Sequence, residues 1–295
     1  MSASDSKLVI QKFGEYLYDN IVYFAPETEN FSKITYDDLS TFMDKGGNLV
    51  VAATSKASNG LRDFAEACGV EFDPTGSEII DHFNYSEDMD TSLQHTTVIT
   101  NNFLDSNVIL KDFNQLPEEK KNVVYRGLGH AVDESNVLVA KTLKGRDSTY
   151  SADPKTPIQD YPENVGADTL LVSSIQGRNN ARVVISGSLD MFSNEYFAIE
   201  NAGNKEFCED LSAWAFGERG VLRFSNVRHH KSDGTPPDVI LHEKERENDL
   251  PVSLFPDPEI ARNALVYRIK DDLVYSMIVE QHEDESSIYW QHDMV

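Results

Sequence analysis

The apolar residues of the chain first gather into a short continuous run, IVYFA between Asn20 and Pro26, the pattern of a strand buried on both faces. The period then changes. In ITYDDLSTFMDKGG, Leu39, Phe42 and Met43 recur at helical spacing, Thr35 offers an N-cap and Gly46-Gly47 a stop. NLVVAAT repeats the continuous run. SNGLRDFAEACGVEF repeats the helical one, with Leu61, Phe64, Ala65 and Cys68 on one face and Gly69 at its end. Strand, helix, strand, helix requires crossover connections, which predict an α/β fold with a mostly parallel sheet flanked by helices.

Further along, HTTVITNNF and NVVYRGLGHAV predict strands, and Thr149 to Gly166, with Pro154, Pro157 and Pro162 among polar residues, predicts an extended surface loop. DTLLVSSIQ and ARVVISGS, joined by GRNN, predict an antiparallel hairpin. From Asn204 a helical stripe returns with Phe207, Leu211, Trp214 and Ala215, ending near Gly217, and GVLRFSNV follows as a strand. Residues 1–228 thus form an α/β domain. Residues 229–263 predict a linker or insertion, because SDGTPPD is turn chemistry, HEKEREND has no apolar face and DLPVSLFPDP holds three prolines. The runs ALVYRIKDDLVYSMIVEQ and SSIYWQ then predict an incomplete β domain over 264–295, packed poorly or leaning on the α/β body. No internal repeat is present.

Composition narrows the range of functions. The chain has 295 residues, 40% hydrophobic, enough for a substantial core. Fifty acidic against 26 basic side chains give a net charge of -24, which repels phosphate backbones and argues against nucleic acid as a partner. No run approaches the length of a membrane span, and MSASDSKLVI lacks the apolar core of a secretory leader; these features predict a soluble chain without targeting signal or anchor. Cys68 and Cys208 make no metal or redox spacing and read as buried thiols.

Candidate chemistry centres on the end of the run ARVVIS. Ser186, Gly187, Ser188, Asp190 and Ser193 crowd the place where α/β sheets hold nucleophiles and ligands. ISGSLDMF is nevertheless no nucleophile elbow, since that motif is G-x-S-x-G. Ser188 or Asp190 capping the next turn is the simpler reading. The enzymatic alternative is a Ser-dependent hydrolase or amidotransferase-like enzyme that pairs Ser186 or Ser188 with His82, beside Asp81, or with His130. Gly127 and Gly129 could cradle a phosphate, but a lone G-x-G is equally well explained by close backbone packing. His229 and His230 are adjacent on a strand and point to opposite faces, so no metal is assigned. Arg178 and Arg182 flank Asn179-Asn180 and could meet a partner surface, although the Asn pair also suits a hairpin turn.

Several strings are long and of low degeneracy: KFGEYLYDN, GGNLVVAA, ACGVEFD, IIDHFNY, VVYRGLGHAV, PIQDYPENVG and QGRNNARVVISGSLDMFS. They resemble the luminal region of a family of oligosaccharyltransferase subunits, from Phe13 to His230 and again from Ala264. The resemblance implies a flavodoxin-like or class I amidotransferase-like domain followed by a truncated β-rich domain. It implies a non-catalytic assembly role in N-glycosylation at the endoplasmic reticulum, without cofactor. The expected partners are the other subunits, including the polytopic one that transfers the dolichol-linked glycan. Family members carry a leader, a preceding strand and helix, and a membrane anchor, so the chain is expected to be a fragment or a soluble truncated pseudo-subunit. The stretch from Val239 to Asn263 departs from the family pattern. Gly187, Ser188, Asp190, Arg178, Arg182 and the loop Thr156 to Gly166 are the expected partner contacts, and Asn30 and Asn84 the glycosylation sequons.

Overall fold

The computed structural model describes residues 9–29, 33–90, 92–158, 161–162, 164–234, 238–239, 265–266, 271–283 and 286–294. The chain divides between Arg219 and Gly220 into two units. In chain order the first unit contains β1 (Asn20–Tyr23), α1 (Tyr36–Asp44), β2 (Asn48–Ala52), α2 (Asn59–Ala67) and β3 (Val70–Phe72). There follow β4 (Glu78–Ile80), β5 (Val98–Thr100), β6 (Asn102–Phe103), β7 (Val123–Tyr125), β8 (His130–Val132) and β9 (Val139–Lys144). The unit closes with β10 (Tyr150–Ala152), β11 (Leu170–Gln176), β12 (Arg182–Ser186) and α3 (Asn204–Ala215).

The first two helices start where their caps place them. Thr35 Oγ1 accepts from the Asp38 N–H at 3.2 Å while Asp38 Oδ2 accepts from the Thr35 N–H at 2.8 Å, a reciprocal box at the head of α1. Ser58 Oγ accepts from the Leu61 N–H at 3.3 Å and opens α2. Alternation within the strands then decides which core each side chain joins. Leu49, Val51, Val183 and Ile185 face α1 and α2, with Leu39, Phe42, Leu61 and Phe64. Val50 and Val184 face the opposite way, toward Phe207, Leu211 and Trp214 of α3. The sheet is therefore buried on both faces, which is why its central strands read as unbroken apolar runs.

The main sheet runs β1-β2-β12-β11-β8-β3, with β9 on β11 and β6 on β9. It is mixed. β1 and β12 lie parallel to β2, with Ile21 and Val183 both opposite Leu49. The pairs β12–β11, β11–β8, β8–β3, β11–β9 and β9–β6 are antiparallel. Connection length accounts for the difference. The helix α1 supplies the crossover between the parallel neighbours β1 and β2, whereas the short turn Gly177–Ala181 forces β11 and β12 to run in opposite directions. Nor is Thr149 to Gly166 a continuous loop: Tyr150, Ser151 and Ala152 pair with Ile80, Ile79 and Glu78.

In the second unit, Arg219–Lys231, Leu273–Glu283 and Ser286–Met294 build a three-stranded sheet, whose last two strands pair antiparallel from Tyr275↔Met294 to Glu283↔Ser286. The first of these strands runs without a break through residue 228, where the sequence pattern placed the domain end. Asp238–Val239 pairs with Leu265–Val266. The charged and proline-rich runs expected between them, at 240–264, lie outside the described residues.

Candidate functional site

β12 stops at Ser186, and the following turn is tied down by its own hydroxyls. Ser186 Oγ accepts from the Ser188 N–H at 3.1 Å and donates to the Ser188 carbonyl at 3.0 Å. Ser188 Oγ accepts from the Met191 N–H at 3.2 Å. Both side chains are fully buried. The turn from Asp190 to Phe192 carries no side-chain cap at its own N-cap residue, so Asp190 does not play that part; its side chain is exposed.

Gly187 sits against a second loop. A Cβ there would lie 2.1 Å from the Leu128 carbonyl oxygen and 2.5 Å from Tyr125 Oη, and one at Gly127 would lie 2.2 Å from the Gly187 carbonyl oxygen. The Leu128 N–H donates to that carbonyl at 2.9 Å, and Tyr125 Oη donates to the carbonyls of Leu128 and Leu171. Burial holds the Tyr125 phenol well above its ordinary pKa. The Gly127-Leu128 segment and Gly187 thus cross at backbone contact. A phosphate cradle needs open N–H groups. Here the Leu128 N–H is already bonded, and close packing accounts for Gly127 and Gly187 alike.

Beyond this crossing, at the carboxyl ends of β2 and β12, lies a cavity of about 150 Å³ lined by Thr54, Ser55, Glu78, Arg126, Leu189 and Asp190. Ser55 Oγ donates to Glu78 Oε1 at 3.3 Å, and Arg126 Nε stands 4.0 Å from Glu78 Oε2. Ligands of open α/β sheets bind at such strand ends. Arg126 could hold a carboxylate there, but among the described residues no histidine bonds to Thr54, Ser55, Ser186 or Ser188. Thr54 and Ser55 were missed in the sequence pattern. Their signal is their position directly after the buried run NLVVAA.

The histidines are elsewhere. His82 Nδ1 lies 2.6 Å from His95 Nδ1, and its Nε2 lies 2.8 Å from Tyr150 Oη. His130 is fully buried with Nε2 2.7 Å from Ser173 Oγ, and burial pushes its pKa down to about 3. Among the described residues its Nδ1 has no hydrogen-bond partner, so none of them orients the ring as a catalytic base requires. Among the described residues neither Ser186 nor Ser188 bonds to His82 or His130, whose ring nitrogens meet His95, Tyr150 and Ser173 instead. Asp81 is also no triad acid. Burial opposes its ionisation, but bonds from the Phe83 N–H, Ser148 and Asn84 outweigh that and hold its carboxyl below the ordinary range.

The remaining candidates divide between interior and surface. Arg182, 6% exposed, donates through Nη1 to the carbonyls of Trp214 at 2.7 Å and Arg219 at 2.6 Å, with its guanidinium 5.0 Å from the Trp214 ring. Like Gly187 and Ser188, which were expected with it as partner contacts, it is buried. Arg178 and Asp190 are exposed. The hairpin turn uses Asn180 at φ 66°, a conformation asparagine tolerates. Asn84 donates through Nδ2 to Asp81 and Ser148 and accepts from Arg146 Nη1, so a glycan on Nδ2 would displace one of these bonds. Asn30 lies outside the described residues. Cys68, the C-cap of α2, and Cys208 are free and buried; desolvation raises both thiol pKa values, Cys68 to about 12. Among the described residues no three His, Cys, Asp or Glu side chains gather around a metal position, and no helix is long and apolar enough to cross a membrane.

Comparison with known proteins gives a consistent picture. The family model for the OST48 N-terminal domain matches residues 1–218. Relatives from Drosophila melanogaster, Danio rerio and Arabidopsis thaliana each bear the name dolichyl-diphosphooligosaccharide–protein glycosyltransferase 48 kDa subunit. The Drosophila protein is 40% identical over 251 residues, 80% of this chain and 55% of its own length. The zebrafish protein is 38% identical over 252 residues, 80% and 56%. The Arabidopsis protein is 36% identical over 301 aligned positions, 96% and 61%. The chain thus spans about half the length of the curated relatives it matches.

Proposed function

Since the chain belongs to the family of the OST48 N-terminal domain, we propose that it serves an oligosaccharyltransferase complex of the endoplasmic reticulum as a non-catalytic subunit. In this reading a different, polytopic subunit moves the dolichol-linked glycan to asparagine, and this chain contributes a body that neighbouring chains hold. The two parallel pairs around β2, with helices on both sheet faces, support a flavodoxin-like or amidotransferase-like ancestry for that body. The hydroxyls of Ser186 and Ser188 satisfy backbone groups, and among the described residues neither bonds to a histidine.

One observation carries the reading most directly. On the α3 side of the sheet, Val22 of the edge strand β1 is 52% exposed and Phe24 beyond it 41%. They border a cavity of about 490 Å³ lined also by Val50, Phe192, Phe197 and Phe216. An apolar shelf of this kind, rimmed by Asp112, Glu209 and Glu218, marks an interaction surface on a protein that is otherwise strongly charged. Charged substitutions there test the proposal. Val22→Asp and Phe24→Asp, both at exposed positions, are expected to leave the fold intact and to abolish co-purification of the tagged chain with the catalytic subunit. Unchanged co-purification would refute the shelf as the contact.

A further inference from the structure

The segment between β3 and β4, the strand β10 and the loop that leaves β10 wall a second cavity of about 240 Å³, remote in sequence from the strand ends of β2 and β12. Its interior presents Asp73 and Ser151, 2% and 7% exposed, and its lip carries Pro157, Ile158 and Tyr161. Ser151 Oγ has no hydrogen-bond partner among the described residues although it is shielded from solvent. A buried hydroxyl left in that condition is costly unless something enters to bond it. At the lip the opposite anomaly appears: Tyr161 is 84% exposed and Ile158 54%, an aromatic face and an aliphatic one turned to water.

The donors and acceptors of the wall select the ligand. Among the described residues the lining contains no lysine, arginine or histidine, and the net charge of the chain is -24, so an anion is rejected. Its carboxylates are engaged as well. Asp153 accepts from Thr156 Oγ1 and from the Lys155 N–H, bonds that hold its carboxyl below the ordinary range, and Asp73 accepts from Asn164 Nδ2. What remains is a set of hydroxyls: Ser77 and Ser151, each able to donate and to accept, and Thr156, whose hydrogen goes to Asp153 and whose oxygen can still accept. Such a set matches a ligand made of hydroxyls. Tyr161 and the prolines offer flat apolar faces against which the C–H face of a ring can lie. The volume admits one ring-sized group and falls short of a drug-sized pocket.

We propose that this pocket binds a single neutral sugar ring, stacked on Tyr161 with a hydroxyl bonded to Ser151. The proposal stands apart from the subunit reading, because it concerns what the isolated chain recognises and holds whether or not the chain enters a complex. A lipid-linked glycan and a protein-linked glycan would present the same chemistry.

The test is an amide-shift titration of the isotopically labelled full chain with glucose, mannose and the N-acetylglucosamine disaccharide, using glucuronate and a proline-rich peptide as competitors. Saturable shifts at Ser77, Ala152 and Thr156 with at least one neutral sugar are expected, and none with glucuronate. Tyr161→Ala should weaken binding about tenfold, the loss of one stacking face. Tyr161→Phe should keep the affinity and Ser151→Ala should lower it severalfold. Tyr161 is exposed, so these tyrosine variants fold. Titrating the disaccharide free and attached through asparagine to a short peptide separates the two sources: tighter binding of the peptide form assigns the ring to glycoprotein. Absence of saturable shifts with every neutral sugar, equal binding of glucuronate, occupation by the proline-rich peptide instead, or indifference to Tyr161→Ala would overturn the proposal.

Discussion

Gly187→Ala probes the crossing beneath the strand-end cluster. The added methyl would stand 2.1 Å from the Leu128 carbonyl oxygen, 2.5 Å from Tyr125 Oη and 2.9 Å from the Leu128 carbonyl carbon. Two of these contacts are backbone, which cannot rotate away. Relief requires the two loops to separate, and separation breaks the Leu128 N–H bond to the Gly187 carbonyl and loosens Tyr125 from its carbonyl partners. Overpacking of a tight core costs about 1–3 kcal/mol. Each buried hydrogen bond lost without replacement adds about 1–3 kcal/mol. A total of about 3–5 kcal/mol follows if one bond of about 2 kcal/mol breaks on top of that packing cost. With an m-value of about 2–3 kcal/mol per molar urea, the unfolding midpoint should fall by roughly 1–2 M. Urea titration followed by the fluorescence of Trp214, buried on α3, reads this shift. Val137→Ala is the control, because that side chain is 93% exposed. A Gly187→Ala midpoint within 0.3 M or so of wild type would show that the loops do not touch as described.

Other predictions follow from the same interior. Tyr125→Phe leaves the Leu128 carbonyl without its phenolic donor and should cost about 1–3 kcal/mol in the same titration. Ser188→Ala should cost about 0.5–2 kcal/mol, the value of one capping bond, while leaving co-purification with the catalytic subunit unchanged. His130 has a folded pKa of about 3 against an ordinary 6.5, so the unfolded chain binds its proton first as pH falls. Its contribution to stability should therefore decline by about 1.4 kcal/mol per pH unit below 6.5 until roughly pH 3. Urea midpoints at pH 6.5 and 5.5 should show that decline in wild type and lack it in His130→Gln. Cys68 and Cys208, buried with raised pKa values, should react with a thiol reagent only after denaturation; rapid labelling of the native chain would contradict their placement.

The first half of the main sheet was legible because its elements announce their own periods. IVYFA and NLVVAAT are continuous apolar runs, Thr35 and Ser58 cap the two helices between and after them, and GRNN marks the hairpin. Pairing between distant strands was not legible. Val70–Phe72 leaves α2 and goes to the far edge, against His130–Val132, which no local pattern specifies. Tyr150–Ala152 sits in a segment of polar residues and prolines and becomes a strand only because Glu78–Ile80 is there to pair with it. At the candidate site the capping role of Ser188 could be read locally, since the hydroxyl and the Met191 N–H are three residues apart. The role of Tyr125 could not, because its partner carbonyl at Leu171 is 46 residues away.

The proposed function requires that a glycosyltransferase complex hold this chain and that the chain itself perform no reaction. The most direct measurement is native electrophoresis of a complex purified through the tagged chain, with transfer of a lipid-linked glycan to an acceptor peptide assayed across the gel. The chain is expected to migrate with the transfer activity, Val22→Asp with Phe24→Asp to release it, and Ser186→Ala with Ser188→Ala to leave the activity in place. Migration of the chain away from the activity, or ester or amide turnover by the isolated chain that vanishes in the double serine variant, would contradict the proposed function.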